Sequence, residues 1–297
     1  MICDQHGAGQ DRKPRRWLWV VRPDYYLDED GHERKDLEPS AGFEPTAWWT
    51  CSAETRMGDT ALLYRSTKYK DIAYFAVVRS NPEKLDLPGD EFHGRHVCQY
   101  EILERFSKPI PWAAVKADDV LSQWGAVKVR FVRSSFPVPD DCWARLVALA
   151  GRTPEQLAMQ AVDGIYRIRR EREIQDRMAR ADEPFKDVGL TGLRLVKSEY
   201  RFANGRRADL IYEQGRGLYK RDVIVELKRG LIDDRAVEQV LDYAELLRQV
   251  PGRPRRRPLT IVIGDDLHPT AEAMVGRWPS RPRFIALSDL GFARDRP

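Results

Sequence analysis

Residues 206–230 read RRADLIYEQGRGLYKRDVIVELKRG, and this stretch decides the fold of the C-terminal half. The run from 223 to 228 is aliphatic and β-branched, which predicts a buried strand that two charges interrupt. A glycine-rich turn at 214–217 precedes it, and a shorter apolar-flanked strand containing Asp209 lies before the turn. The two strands are therefore predicted to form a hairpin.

The two charges of the second strand share one face. Side chains alternate along a strand, so Glu226 lies on the same side as Ile224 and Lys228. The hairpin is expected to bring Asp209 beside Glu226, in the spacing Asp-x16-Glu-x-Lys. Two carboxylates can hold a magnesium or manganese ion that activates water, and a nearby lysine can orient that water. An ordinary surface ion pair would explain Glu226 and Lys228 but not Asp209.

These residues resemble the PD-(D/E)xK nuclease superfamily, and within it the NucS/EndoMS-like (RecB-like) nuclease domains. The resemblance covers about residues 165–290 and implies an αβββαβ restriction-endonuclease-like core. It implies that Asp209, Glu226 and the main-chain carbonyl of Leu227 hold Mg²⁺ or Mn²⁺. It also implies that Lys228 has a catalytic role.

Two helices complete the implied site. The residues 154–180 predict a helix whose sequence Glu171-Arg172-Glu173-Ile174-Gln175 is similar to the first helix of such domains, which maps a further acidic metal ligand to Glu171. Glu173 is the alternative, and either residue can instead pair with an arginine. An amphipathic helix is predicted at 234–247, where Gln239 matches a glutamine that reaches the active site in similar nucleases. Strands are expected at 259–263 and 283–287.

The N-terminal half has the pattern of a small β-barrel. Short apolar strands alternate with turn residues, and a helix is predicted at 140–150. The predicted strands are 17–21, 60–64, 72–78, 97–103 and 127–131.

The order of these segments resembles the EVE family, a PUA-like barrel related to the YTH readers. The resemblance covers about residues 15–150, and an acidic, polar insertion at about 27–40 departs from it. It implies an aromatic pocket for a flipped, modified base, because such a base needs flat π surfaces and polar groups at its edge. The residues assigned to this pocket are Trp48, Trp49, Tyr64 and Ser66, with Tyr69 and Tyr74 as secondary candidates. Adjacent residues of a strand point to opposite faces, so at most one of the two tryptophans is expected to line it.

The predicted organisation is therefore two domains of mixed α+β and α/β class. It comprises a basic tail at 1–16, a base-reading domain at 17–150, a linker at 151–164 and a nuclease domain at 165–297. The 297 residues are 42% hydrophobic and 32% charged, which suits two cores in a soluble protein. No segment is long and apolar enough for a membrane span or a signal peptide, so a cytoplasmic location is expected.

The cysteine pattern predicts neither disulfides nor a structural zinc site, since the four cysteines form no CxxC pair. His93, His96 and Cys98 are close together, but they lie near loop residues and lack an evident fourth ligand.

The net charge is only +4, but arginines cluster around residues 12–16, 167–172 and 253–257. Such clusters can neutralise phosphates, although each alone is often a solvated surface.

The combined prediction is a magnesium-dependent endonuclease, active as a homodimer, that cuts double-stranded DNA carrying a modified base. A modified cytosine is the first expectation and a modified adenine the second. The alternatives are a repair nuclease for mismatched or branched DNA and a non-cleaving reader of modified RNA.

Overall fold

The computed structural model of the protein describes residues 12–34, 37–39, 48–202, 206–254, 256–276 and 281–292. Most of the predicted basic tail, part of the insertion at 27–40, and Arg255 lie outside these ranges. The chain divides into two compact units, residues 1–166 and 167–297. Within the described residues, no helix has the length and apolar character needed to cross a bilayer.

The first unit is built on a curled half-barrel sheet with short helices. Its strands run in the order β2-β6-β4-β3-β1-β7, with β5 paired to β6, and only β1 and β3 are parallel neighbours. The strands are β1 (Arg16–Val21), β2 (Trp48–Thr50), β3 (Thr60–Arg65), β4 (Asp71–Val78), β5 (Glu83–Lys84), β6 (His96–Pro111) and β7 (Ser135–Pro137). The helices are α1 (Trp112–Ala117), α2 (Gly125–Lys128), α3 (Asp140–Leu149) and the start of α4 (Pro154–Arg180).

Both faces of this sheet are buried, which explains why β3 and β4 are nearly continuous apolar runs. On β1, Leu18 packs with Phe75 and Trp143 in a core on one face. Trp17 and Trp19 pack in a second core on the other face. The alternation of side chains along each strand thus supplies two cores from one sheet.

The prediction of a strand at 127–131 is wrong. The helix α2 occupies 125–128, and the backbone then turns through Arg130 and Phe131, both of which have φ of 53°. Phe131 is buried among aromatic rings, and that burial holds a turn which the alternating valines did not indicate. The alternation of polar and apolar residues here reflects a loop with one anchoring side chain.

The second unit contains a five-stranded sheet in the order β14-β12-β10-β9-β8. The strands β10 and β9 are antiparallel, whereas β10, β12 and β14 run parallel to one another. The elements after α4 are β8 (Leu193–Arg201), β9 (Arg207–Gln214), β10 (Arg221–Leu227), β11 (Leu231–Ile232), α5 (Asp234–Arg248), β12 (Leu259–Gly264), β13 (Asp266–Leu267), α6 (Pro269–Glu272) and β14 (Arg283–Ala286).

The predicted hairpin is present between β9 and β10, and one glycine fits its turn for a steric reason. Gly215 has φ of +84°, and a Cβ atom there would lie 2.6 Å from the main-chain oxygen of Tyr219. A side chain at this position would both clash and strain the backbone. The turn therefore sets the register that pairs Val225 with Leu210.

Helices cover the two faces of this sheet. Ile174 and Met178 of α4 pack on one face with Val223, Val225 and Leu227. On the other face, α5 packs against Ile224, Ile211 and Val262. A side-chain cap begins α5, because Asp233 accepts a hydrogen bond from the Ala236 amide at 2.9 Å.

Candidate active site

The strands β9 and β10 bring Asp209 next to Glu226. The last described pair of this ladder is Val225 with Leu210, and one step further along the same register lie Glu226 and Asp209. The Asp209 Oδ2 atom accepts a hydrogen bond from the Leu227 amide at 2.7 Å. The carboxylate of Asp209 is thus fixed against the main chain of the residue that follows Glu226.

Lys228 joins this pair on the same strand face. Its Nζ atom lies 3.1 Å from Oε1 of Glu226, whose side chain is only 1% exposed. The Lys228 amide donates to the main-chain oxygen of Ile263 at 2.8 Å. Because β12 holds the backbone of Lys228 beyond the end of β10, its side chain is presented next to both carboxylates.

The pKa values report how closely these charges are grouped. Burial raises the pKa of Asp209 well above its usual value, and the carboxylates of Glu226 and Glu171 raise it further. Burial lowers the pKa of Lys228, but the same three carboxylates outweigh that effect and raise it. Glu171 therefore belongs to the same electrostatic group as the three hairpin residues.

The helix α4 reaches this group through Gln175. Its Nε2 atom donates a hydrogen bond to the main-chain oxygen of Asp209 at 2.9 Å. Glu171 precedes Gln175 by one turn, so the two share a helix face. Glu173 instead pairs with Arg170 at 3.0 Å and its side chain is 67% exposed. Of the two acidic candidates on α4, the structure brings Glu171 to the hairpin.

Gln239 lies on α5, on the side of the sheet that carries Ile224. It is buried, and its Nε2 atom donates to the hydroxyl of Tyr243 at 2.6 Å. The Tyr243 ring stacks on Phe202, with centroids 5.3 Å apart. The hydrogen bond to Tyr243 fixes the amide of Gln239, and no described hydrogen bond joins it to the carboxylates.

The donor set of this group fits a hard divalent cation. It offers carboxylates and the main-chain oxygen of Leu227, and Mg²⁺ and Mn²⁺ prefer such oxygen ligands. The raised pKa of Asp209 reflects burial first and carboxylate crowding second, and a cation would relieve the crowding. In the described part of the chain, the oxygens of Glu171, Asp209 and Glu226 do not all lie within 4.8 Å of one another. Among the described residues, the one cluster that compact consists of Asp28, Asp30 and His32 on the exposed surface.

The buried carboxylate of Asp209 leads to a testable effect on stability. Its raised pKa means that the folded state favours the neutral form, so the stabilising contribution is present below about pH 4 and is lost as the pH rises through the raised value. Asp209→Asn, which keeps an acceptor for the Leu227 amide, should therefore raise Tm in EDTA by a few degrees at pH 7–8. Thermal melts across pH 4–8 measure this, and a Tm below that of the unchanged protein at pH 8 would contradict it.

The residues assigned to a base pocket do not all come together. Trp49 packs in the core that contains Trp17 and Trp19, and its ring meets that of Tyr25 at 5.1 Å. Tyr64 packs in the core on the other face of the sheet, against Trp112 and Phe131. Tyr64 and Trp49 therefore lie in cores on opposite faces of the sheet, so they cannot sandwich one base.

Ser66 and Tyr69 have structural contacts. The Ser66 hydroxyl donates to the main-chain oxygen of Val21 at 3.0 Å. The guanidinium of Arg65 lies 4.0 Å from the centroid of the Tyr69 ring and is bound by Asp71. Glu33, from the polar insertion, contacts Arg65, and it also binds Tyr74 and Arg105. The insertion thus packs against this end of the sheet.

One aromatic group does form around the two tryptophans. We call the four rings of Tyr25, Trp48, Trp49 and Phe92 the aromatic group. Trp48 meets Phe92 at 5.7 Å, and Tyr25 meets both Trp49 and Phe92. The buried Nε1–H of Trp49 has no hydrogen-bond partner among the described residues. The sequence pattern missed Tyr25 and Phe92, since neither lies near the tryptophans in sequence.

The chain matches no protein-family model and no curated protein. Among solved structures, it is similar to the protein Rpa0253 from Rhodopseudomonas palustris, with 22% identity, 46% of this chain and 93% of that chain covered, and a TM-score of 0.37. It is also similar to a repair endonuclease from Pyrococcus abyssi, at 21% identity and a TM-score of 0.26. This match covers 34% of this chain and 41% of that chain. A structure of EndoMS with double-stranded DNA is similar at 22% identity and a TM-score of 0.28. This match covers 35% of this chain and 38% of that chain. The chain thus spans about two fifths of these two endonucleases.

Proposed function

We propose that this protein is a metal-dependent DNA endonuclease. The observation that carries the proposal is the convergence of Asp209, Glu226 and Lys228 on adjacent strands, with Glu171 approaching from α4. Crowding carboxylates in a buried place lowers stability, so this arrangement needs a functional explanation. Oxygen ligands with a neighbouring cation suit metal-assisted phosphodiester hydrolysis.

Each residue has a distinct role in this proposal. Asp209, Glu226, Glu171 and the main-chain oxygen of Leu227 would hold Mg²⁺ or Mn²⁺, which supplies charge stabilisation at the phosphate. Lys228 remains protonated because the carboxylates raise its pKa, so its ammonium donates hydrogen bonds and orients the water for in-line attack. Gln239, held by Tyr243 on the helix that covers this face of the sheet, is proposed as a second positioning group.

We further propose that the first unit selects DNA by a flipped, modified base, with a modified cytosine as the first candidate. The aromatic group supports this, because it gathers π surfaces around a buried indole N–H that has no acceptor among the described residues. Buried donors are usually satisfied, so a base carbonyl or ring nitrogen is a reasonable partner for it. Specificity would then lie in the first unit and chemistry in the second.

The test is digestion of duplexes in magnesium. The panel contains unmodified DNA, cytosine-modified DNA, adenine-modified DNA and a mismatched duplex. We expect cleavage of a modified duplex at least tenfold faster than cleavage of the unmodified one. Equal cleavage of all four duplexes would refute base selection, preferred cleavage of the mismatch would favour a repair nuclease, and no cleavage of any would refute the enzyme. Cutting both strands usually takes two active sites, so we also propose a homodimer.

The role of Trp49 can be tested by removing only its donor. Trp49→Phe keeps a ring but deletes the N–H, and the loss of one hydrogen bond to the base should slow cleavage of the modified duplex about fivefold. Cleavage of the unmodified duplex should not change. The matched control is Trp143→Phe, in the core on the other face of the sheet. Equal effects of the two substitutions on both duplexes would assign Trp49 to the core alone.

A further inference from the structure

The loop after α2 exposes apolar side chains to solvent. Residues 128–133 read Lys-Val-Arg-Phe-Val-Arg, and we call them the basic loop. Val132 is 76% exposed and Val129 is 46% exposed, although exposing aliphatic surface is unfavourable. Scattered exposed valines are ordinary, but these two protrude from one turn between cations. A role for the loop tip would account for this placement.

The buried side chain of Phe131 anchors the basic loop to the core. Phe131 is buried and contacts four aromatic rings at centroid distances of 4.9 to 5.8 Å, those of Tyr64, Trp112, Trp124 and Phe136. Arg130 and Phe131 both adopt the left-handed conformation, which is unfavourable for residues other than glycine. The amide of Phe131 also donates to the main-chain oxygen of Ala126 at 3.0 Å. Burial of Phe131 therefore fixes a strained turn that projects Val132 outward.

The charges around the tip are positive. Lys128, Arg130 and Arg133 are exposed and make no ion pair with any described residue. An open groove of about 510 Å³ adjoins the loop. Its lining includes Arg95, Arg133 and the hydroxyls of Ser52, Ser134 and Ser135. The acidic residue of the lining, Glu54, is already bound by Arg15. The surface beside Val132 is thus suited to a polyanion.

We propose that the basic loop is a wedge that enters the base stack of duplex DNA, with Val132 leading and Arg130 and Arg133 on the flanking phosphates. DNA-bending proteins insert aliphatic side chains between base steps in this way, and extruding a base leaves a gap that needs filling. The two protruding valines offer too little area for a stable protein interface, whereas the cations beside them match phosphate. The inference rests on the proposed function, because it supplies the step that exposes the base.

The experiment uses the full chain carrying Glu226→Gln, so that binding is measured without cleavage. Val132→Ser is compared with Val162→Ser, a matched control at a valine of α4 that is 63% exposed. Binding is followed with a modified duplex that carries 2-aminopurine beside the modified base, whose fluorescence rises when the stack opens. We expect Val132→Ser to weaken duplex binding five- to tenfold and to reduce the fluorescence rise at saturation by at least half. Val162→Ser should change neither.

Two further arms separate the possible outcomes. A duplex in which the target base is already unpaired should bind Val132→Ser within about twofold of the unchanged loop. Arg133→Gln should lower the slope of log affinity against log salt by about one. Equal binding and fluorescence for Val132→Ser and Val162→Ser would overturn the wedge while leaving cleavage by the unmutated chain intact. Opening of the stack that depends on Val132, together with no cleavage by that chain, would support the wedge and refute the nuclease. No binding of any duplex would overturn both.

Discussion

Glu226→Gln is expected to reduce DNA cleavage about 100- to 1,000-fold while DNA binding changes little. Glutamine has nearly the same size as glutamate, so the buried side chain keeps its packing on the α5 face of the sheet. It loses the negative charge that attracts a divalent cation and stabilises the ammonium of Lys228. Removal of one such electrostatic contribution commonly costs two to three orders of magnitude, about 3 to 4 kcal/mol in the barrier.

The matched control is Glu213→Gln on the same hairpin. Glu213 lies on β9 but pairs with Arg194 and Lys220, both at 3.0 Å, away from the carboxylate group. Single-turnover cleavage of the best duplex in the panel, with and without magnesium, measures both variants. Full activity of Glu226→Gln would remove the basis for the enzyme, and equal losses in both variants would point to damage of the hairpin rather than of the site.

The hairpin at the centre of this site could be predicted because its information is local. Alternation along residues 223–228 put Glu226 and Lys228 on one face, and the glycine turn set the register that brings Asp209 near them. The bounds of α4 and the position of α5 also followed from short-range patterns. Each of these features depends on residues only a few positions apart, or on one tight turn.

The contribution of α4 could not be settled in that way. Glu171 and Glu173 are both plausible on a helix of alternating charges, and the choice depends on which face docks against the sheet. That face is set by Ile174 and Met178 in the core and by the hydrogen bond from Gln175 to Asp209. A glutamine that donates to a main-chain oxygen leaves no pattern in the sequence. Only the tertiary structure therefore shows that Glu171, rather than Glu173, belongs to the group of charges at the hairpin.

The contacts of the aromatic residues in the first unit could not be predicted for a related reason. Its sheet is buried on both faces, so alternation shows that Tyr64 and Leu63 point in opposite directions but not which core each one enters. The partners of the tryptophans, Tyr25 and Phe92, are distant along the chain and meet them only through folding. The basic loop had the alternation of a strand although one aromatic anchor defines it as a turn.

The second large effect is expected from Lys228→Met, which removes the ammonium next to three carboxylates. Without metal, Glu226 would remain buried without its cation, and breaking a buried ion pair costs about 3–5 kcal/mol. Urea denaturation in EDTA should show this loss, and cleavage should fall at least about 100-fold because the water is no longer oriented. The control is Lys220→Met, which breaks the exposed pair with Glu213 and should cost less than about 1 kcal/mol.

The double variant Glu226→Gln/Lys228→Met separates loss of the ion pair from general damage. If the loss in Lys228→Met comes from an uncompensated carboxylate, neutralising Glu226 should restore most of the unfolding free energy, so the two effects are strongly non-additive. Magnesium should also raise the Tm of Lys228→Met more than that of the unchanged protein, because the crowded carboxylates then lack any other cation. Additive losses in the double variant, with no extra response to magnesium, would mean that Lys228 stabilises the fold by packing and that the carboxylates do not act as one group.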